Sequence, residues 1–172
     1  MNGIFSSTLI YCLPVFANIW LPGDEESRFR SFRKEDLRRL QVVQNKVLRL
    51  LTNLPRHTPT EELVKSSGEL SVHQLTAYHS LLSAHKVIVA QKPDYLAKKL
   101  VLKTPEEGRV FPHRQAYTLP VSGGLSITRA GFFDRTARVY NSMPLYIRSC
   151  TATPKYKKLV KKWVKHNIKI KP

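Results

Sequence analysis

Cysteine is scarce: Cys12 and Cys150 are the only two in 172 residues. That excludes a disulfide framework, and two isolated thiols in a Lys-rich chain fit a reducing compartment. There is no Cys-x-x-Cys and no His-Glu-x-x-His, and the histidines and cysteines never fall at zinc-ligand spacing. His73, His79 and His85 recur every six residues, a step of about 240° around a helix, so the three point in different directions. His85 lies within an apolar arc and reads as a hydrogen-bonded core histidine. Gly123-Gly124 lacks the lysine and helix of a phosphate loop, no Gly-x-Ser-x-Gly occurs, and neither cysteine has a base beside it. No cofactor, no metal and no small-molecule substrate is expected.

Acidic residues are also few. They adjoin only at Asp24-Glu25-Glu26, Glu35-Asp36, Glu61-Glu62 and Glu106-Glu107. The first group sits in a turn, two lie at helix starts, where the macrodipole favours carboxylates, and the last is in a loop. No Asp-Asp pair stands in a hydrophobic hairpin, as a two-metal polymerase site requires, so no catalytic residue is assigned. Residues 4–20 carry no charge, but they are too few to span a bilayer comfortably and Pro14 interrupts them. Val15-Phe16-Ala17 has the small-residue spacing of a leader cleavage site, yet Met1 and Asn2 supply no basic region before it. This segment is expected to be a buried helix or strand at the start of a domain.

Positive charge is what abounds. Lys and Arg total 29 against 12 Asp and Glu, a net charge of +17. Such an excess attracts polyanions. Nucleic acid comes first among them, because each phosphate contact releases condensed counterions. Anionic membranes and acidic proteins follow. With 42% hydrophobic residues the chain has enough apolar side chains for a core. The length suits one modest domain or two small lobes.

Periodicity predicts a mainly α-helical chain of five or six helices. In residues 34–54, Leu37, Leu40, Val43, Val47, Leu48, Leu50, Leu51 and Leu54 fall on one side at about 100° per residue. Arg38, Lys46 and Arg49 fall opposite, with Asn45 and Asn53, while Gln44 sits inside the apolar arc and Val42 outside it. Thr58-Pro59-Thr60-Glu61 signals a short helix, with Thr58 as cap and Pro59 at the first helical position, ended by Gly68. Ser71 with Gln74 forms a second capping box. The helix it opens runs to about Gln91, with Leu75, Tyr78, Leu81, Leu82, Ile88 and Val89 inward. Residues 37–54 and 75–89 are expected to share one core through these faces. Pro93 starts a short helix reaching Leu100. Residues 103–127 are rich in turn formers and read as an extended connection with a strand near residues 117–121. Phe133, Thr136, Ala137 and Tyr140 then share a helical face, with Arg135 and Arg138 turned away, until Pro144 breaks the helix. The last helix has Thr153 as cap and Pro154 at its first position. Tyr156, Leu159, Val160, Trp163 and Val164 form its apolar stripe.

Two basic faces carry the functional signal. The first is Arg33, Arg38, Lys46, Arg49 and Arg56. The second is Lys157, Lys158, Lys161, Lys162 and Lys165, in a stretch from Lys155 to Lys171 that contains no acid. Lysine meets phosphate as a point charge and does not read bases, so affinity without much sequence specificity is expected. The aromatic residues lie mostly on apolar stripes and are assigned to the core.

Several phrases, taken in order, resemble the C-terminal part of non-LTR retrotransposon reverse transcriptases of the jockey and CR1 type. Leu9-Ile10-Tyr11-Cys12-Leu13-Pro14-Val15-Phe16 is similar to the apolar segment that follows the polymerase core in that family, with Cys12 in place of the usual glycine and Phe16 in place of tryptophan. Leu40-Gln41-Val42-Val43-Gln44-Asn45-Lys46-Val47-Leu48-Arg49-Leu50 resembles its next helix. Thr58-Pro59-Thr60-Glu61-Glu62-Leu63, Lys92-Pro93-Asp94-Tyr95-Leu96, the stretch from Thr128-Arg129 to Pro144, and Tyr156-Lys157-Lys158-Leu159-Val160-Lys161-Lys162-Trp163 continue the match. The resemblance implies a thumb and post-thumb region that grips template and primer, with the catalytic palm and the endonuclease absent and Met1 opening a truncated reading frame.

The expected organisation is an apolar N-terminal segment (1–27), a helical thumb-like domain (28–102), a loop-rich connection (103–127) and a basic C-terminal helical region (128–172). The expected function is non-catalytic binding of an RNA or DNA backbone inside the cell, nuclear or cytoplasmic, without stable membrane association. The rivals are a basic module for a membrane surface or a partner helix, built on the C-terminal helix with Trp163, and an inert retroelement remnant.

Overall fold

The computed structural model describes residues 34–102, 117–121 and 132–168. The expectations for residues 1–27, for Arg33, and for most of the loop-rich connection lie outside these. Among the described residues the fold is mainly α, with seven helices: α1 (Lys34–Thr52), α2 (Thr60–Ser67), α3 (Val72–Ala90), α4 (Asp94–Ala97), α5 (Phe132–Asn141), α6 (Leu145–Arg148) and α7 (Thr153–Asn167). The short α6 is a single turn entered through Pro144, which blocks continuation of α5 and sits at the N-cap.

Helix α3 is the centre of the bundle, packed on by α1, α4, α5 and α7. Its start is fixed as expected. Ser71 accepts from the Gln74 backbone while the Gln74 side chain accepts from the Ser71 backbone, a complete capping box. Gly68 ends α2 in the left-handed region at φ 70° and donates to the Lys65 carbonyl. Two other caps are displaced by one residue, later at α2 and earlier at α7. Pro59 precedes α2 at the N-cap, not at its first helical position, and Ala152 rather than Thr153 caps α7. Thr58 does not cap α2. Its backbone closes the α1–α2 turn by donating to Pro55 and accepting from Arg49.

The main core joins α3, α5, α6 and α7 through Leu81, Ala84, Tyr140, Met143, Ile147, Tyr156, Val160 and Val164. The stripe of α7 is buried as its spacing dictates. On α3, Leu81 and Leu82 are buried, and Leu75, Tyr78 and Ile88 pack partly against the core, but Val89 is 47% exposed. It sits in the last turn, where Val87 and Ile88 take the sides that meet the core. On α5, Thr136, Ala137 and Tyr140 are buried and Arg135 and Arg138 are only half-buried.

Helix α1 does not join this core. Its buried apolar contacts form two satellites: Val72 with Leu37 and Leu40, and Leu48 with Leu63, Val64 and Leu54. The expectation of one shared core is therefore corrected, and so is the orientation of the helix. The side packed inward carries Gln41, Gln44 and Asn45, all buried, whereas Val43, Leu50 and Leu51 are 44%, 82% and 51% exposed. This face lies about a quarter turn from the apolar arc. Hydrogen bonds account for the rotation. Gln41 Nε2 donates to Gln44 Oε1 (2.8 Å) and Asn45 Oδ1 (3.0 Å), and Gln41 Oε1 accepts from the Val72 backbone (3.0 Å). Gln44 donates to the Leu70 carbonyl (2.8 Å), and Asn45 to the Thr60 hydroxyl (2.8 Å). Three directional ties, two to the α2–α3 junction and one to the start of α2, outweigh the burial of a partial apolar strip, since buried polar groups left unmade are costly.

Residues 117–121 form no strand; Thr118 makes a single bridge. The Asn141 side chain takes the place of a partner strand, donating to the Leu119 carbonyl (2.9 Å) and accepting from its N–H (2.8 Å). This pins Leu119 into the core at the end of α5.

His85 is the core histidine its position implied. Its ring stacks on Tyr156 with centroids 3.8 Å apart and planes at 7°. Burial lowers its pKa from the ordinary imidazole range, partly offset by a bond to the Thr151 backbone. His79 is also lowered, by burial and then by Lys86. In the unfolded chain both titrate near 6.5, so as pH falls below about 6.5 the unfolded state takes up protons before the folded one. Stability is thus full above that pH and declines below it. The urea midpoint is expected to drop between about pH 7.5 and about pH 5.5, with a smaller drop in His85→Gln. An unchanged slope in that variant would contradict the assignment.

Candidate nucleic-acid interface

The two basic faces are built by different means. On α7, burial of Tyr156, Val160, Trp163 and Val164 leaves the opposite side to water, and Lys157, Lys158, Lys161, Lys162 and Lys165 are all exposed, joined by Lys155. All six lie on a single amphipathic helix, so their positions follow directly from that of the stripe.

On α1 the surface is divided lengthwise. Once Gln41, Gln44 and Asn45 turn inward, Arg38, Arg39 and Lys46 lie along one flank and Val43, Leu50 and Leu51 along the other. Arg38 and Lys46 are exposed, as is Arg56 beyond the helix. Arg49 differs. It is half-buried, and its guanidinium donates to the Thr58 carbonyl at 3.3 Å, so one arm braces the α1–α2 turn. Arg39 is an exposed cation that the sequence reading passed over. Its side chain is 76% exposed and stands 3.8 Å from Glu35 one turn earlier. An exposed pair of this kind contributes little and leaves the guanidinium open to other anions.

The first turn of α3 ties α1 near its start and α7 at its end. Its Val72 N–H is held by Gln41 of α1, while its Gln74 side chain donates to the Ile168 carbonyl at the end of α7 (2.8 Å). Arg38 lies one turn before Gln41, and Lys165 one turn before Ile168. Both basic helices are therefore moored to residues 70–74. Three acids accompany these moorings, Glu69 in the connection and Glu35 and Asp36 in the first turn of α1.

Among the described residues, no group of three or more His, Cys, Asp or Glu side chains is gathered as for a metal ion. Nor, among these residues, is any helix long and apolar enough to cross a membrane. Comparison of the chain with protein-family models, with curated proteins and with solved structures gives no match.

Proposed function

We propose that this chain is a non-catalytic nucleic-acid-binding module of intracellular location. It grips the phosphate backbone of RNA or DNA through α1 and α7, with little base discrimination. Its origin, on the sequence resemblance, is the C-terminal part of a retroelement reverse transcriptase. The observation that carries this reading is the mooring of two helices with exposed basic faces to the same turn of α3. A net charge of +17 supplies the long-range attraction, and exposed Lys and Arg supply the counterion-releasing contacts.

The membrane and partner-helix rival depends on the apolar stripe of α7. That stripe is packed into the main core, and Trp163 is only 9% exposed. Laying it into a bilayer or a groove requires dismantling the bundle, which speaks against that reading.

The test is a salt titration of binding to single-stranded RNA and duplex DNA. Removing Arg38, Arg39 and Lys46 together, with glutamine in each place, leaves the inward face of α1 intact, so folding should survive. Affinity should fall by a similar factor on every sequence. The slope of log K against log salt should shrink by about 0.7 per lost contact on a single strand and about 0.9 on duplex. Removing Lys157, Lys161 and Lys165 should do the same. Absence of any salt-sensitive binding by the folded chain at low ionic strength ends the nucleic-acid reading.

A further inference from the structure

The outward faces of α1 and α7 differ in kind. On α7 no large apolar side chain is exposed, and lysines cover the face. On α1, Val42, Val43, Leu50 and Leu51 are all exposed, and so are Arg38, Arg39 and Lys46. The two kinds of residue are interleaved. Val42 stands one turn from both Arg38 and Lys46, Val43 one turn from Arg39 and Lys46, and Leu50 one turn from Lys46. No acid occurs between Asp36 and Glu61. The helix cannot turn to bury its open apolar residues. Gln41 and Gln44 tie the opposite side to the α2–α3 junction, and Asn45 ties it to the start of α2. Thus α1 presents cations and open apolar side chains together, where α7 presents cations alone.

We propose that α1 takes single-stranded nucleic acid, with phosphates on Arg38, Arg39 and Lys46 and bases laid against Val43, Leu50 and Leu51. The proposal rests on the nucleic-acid reading above and narrows it. A duplex keeps its base faces stacked inside, so these aliphatic side chains would meet phosphate and sugar and desolvate charge without return. A single strand carries the same phosphates, but its base faces are free to cover apolar surface. The contact is blind to sequence, because every base has such a face. Charge disfavours a second copy as the occupant. Pairing two α1 helices would bring both sets of cations together on chains that each carry +17. The lysines of α7 serve either form of nucleic acid alike, since each acts as a point charge on phosphate.

Three probes separate these parts: a short single-stranded DNA, the same strand with abasic residues throughout, and a duplex of the same sequence. Each is bound to the full chain over a salt series. The first two carry equal charge, and the intact strand should bind about tenfold more tightly than the abasic one. Val43→Gln, Leu50→Gln and Leu51→Gln together change only exposed positions and remove no charge. That variant should lose the preference for the intact strand, while its salt slope and its affinity for the duplex stay as in the wild-type chain. Lys157→Gln, Lys161→Gln and Lys165→Gln together should instead weaken binding of all three probes and keep the preference. Equal binding of intact and abasic strands by the wild-type chain overturns the proposal and leaves the nucleic-acid reading standing. That is the result expected if an acidic amphipathic helix of another protein covers α1. Glutamine changes on α1 that weaken duplex binding as much as single-strand binding also overturn it. So does a chain that sediments as a dimer and is made monomeric by those changes, which gives the apolar residues to a second copy. If no probe shows salt-sensitive binding, the nucleic-acid reading and this proposal fall together.

Discussion

Replacing Tyr156 with alanine is expected to lower the unfolding free energy by about 3–5 kcal/mol, the range for emptying a fully buried aromatic site. The ring is 0% exposed on α7 and packs against α3 by stacking on His85. Nothing nearby can fill the space: Tyr140, Val160 and Met143 belong to the same core and are themselves fixed by packing or, for Tyr140, by a hydrogen bond to the Arg148 carbonyl. For a chain of this length each kcal/mol moves the melting temperature by about 2–4 °C, so a fall on the order of 10 °C should be read by circular dichroism. The hydroxyl separates packing from polarity. It is buried without a hydrogen-bond partner among the described residues, and burial, then Tyr140 and Cys150, push its pKa well above the ordinary phenol range. Tyr156→Phe keeps the stacked ring and removes the unsatisfied group, so it should be neutral or stabilising by about 1 kcal/mol. A Tyr156→Phe chain as unstable as Tyr156→Ala would show that the hydroxyl, and not the ring, holds α7 in place.

The same residue shows which parts of the fold were legible. In α7 the apolar residues are large, regularly spaced and set among lysines, so one pattern dictates both the buried stripe and the basic face. The Ser71–Gln74 box and the Gly68 stop were legible because each uses a residue whose chemistry suits a single local geometry. The one-residue displacements at Pro59 and Ala152 reflect the backbone path into the helix, which the capping alphabet does not fix. Helix α1 was misread because its packed face is polar. Periodicity weighs apolar residues and assigns Asn45 to water, whereas Asn45 is buried against Thr60, 15 residues away. The fit of Gln41 and Gln44 depends on where the α2–α3 junction brings its backbone groups, and no spacing within α1 encodes that. Residues 117–121 do not form the expected strand, Tyr117 standing in the left-handed region at φ 54°, and the Asn141 amide 22 residues after Leu119 holds the Leu119 backbone instead. In the candidate site, exposure of the lysines was legible. The bracing role of Arg49 was not, because its acceptor is a loop carbonyl whose position depends on the turn after α1.

Gln41→Leu tests that polar seating most severely. Leucine keeps nearly the volume and helix propensity of glutamine, so α1 itself is preserved. What is lost is the hub of the network. The Val72 N–H at the start of α3 loses its acceptor, and Gln44 Oε1 and Asn45 Oδ1 lose their shared donor, all at buried positions. Each buried group left without a partner costs about 1–3 kcal/mol, and three are stranded together. The expected loss is therefore several kcal/mol, a large share of the roughly 5–15 kcal/mol that holds such a domain together. Added apolar contact offsets little of it, since the side chain at this position meets the Val72 backbone N–H. Amide exchange gives the sharper reading: protection at Val72 should fall further than protection in the middle of α7, which does not touch the hub. Val42→Asp on the exposed flank is the matched control. It places a new carboxylate one turn from both Arg38 and Lys46 and should change stability by no more than about 0.5 kcal/mol. If Gln41→Leu instead melts with the wild-type chain and Val42→Asp collapses it, α1 is seated by its apolar arc and the rotation described above is wrong.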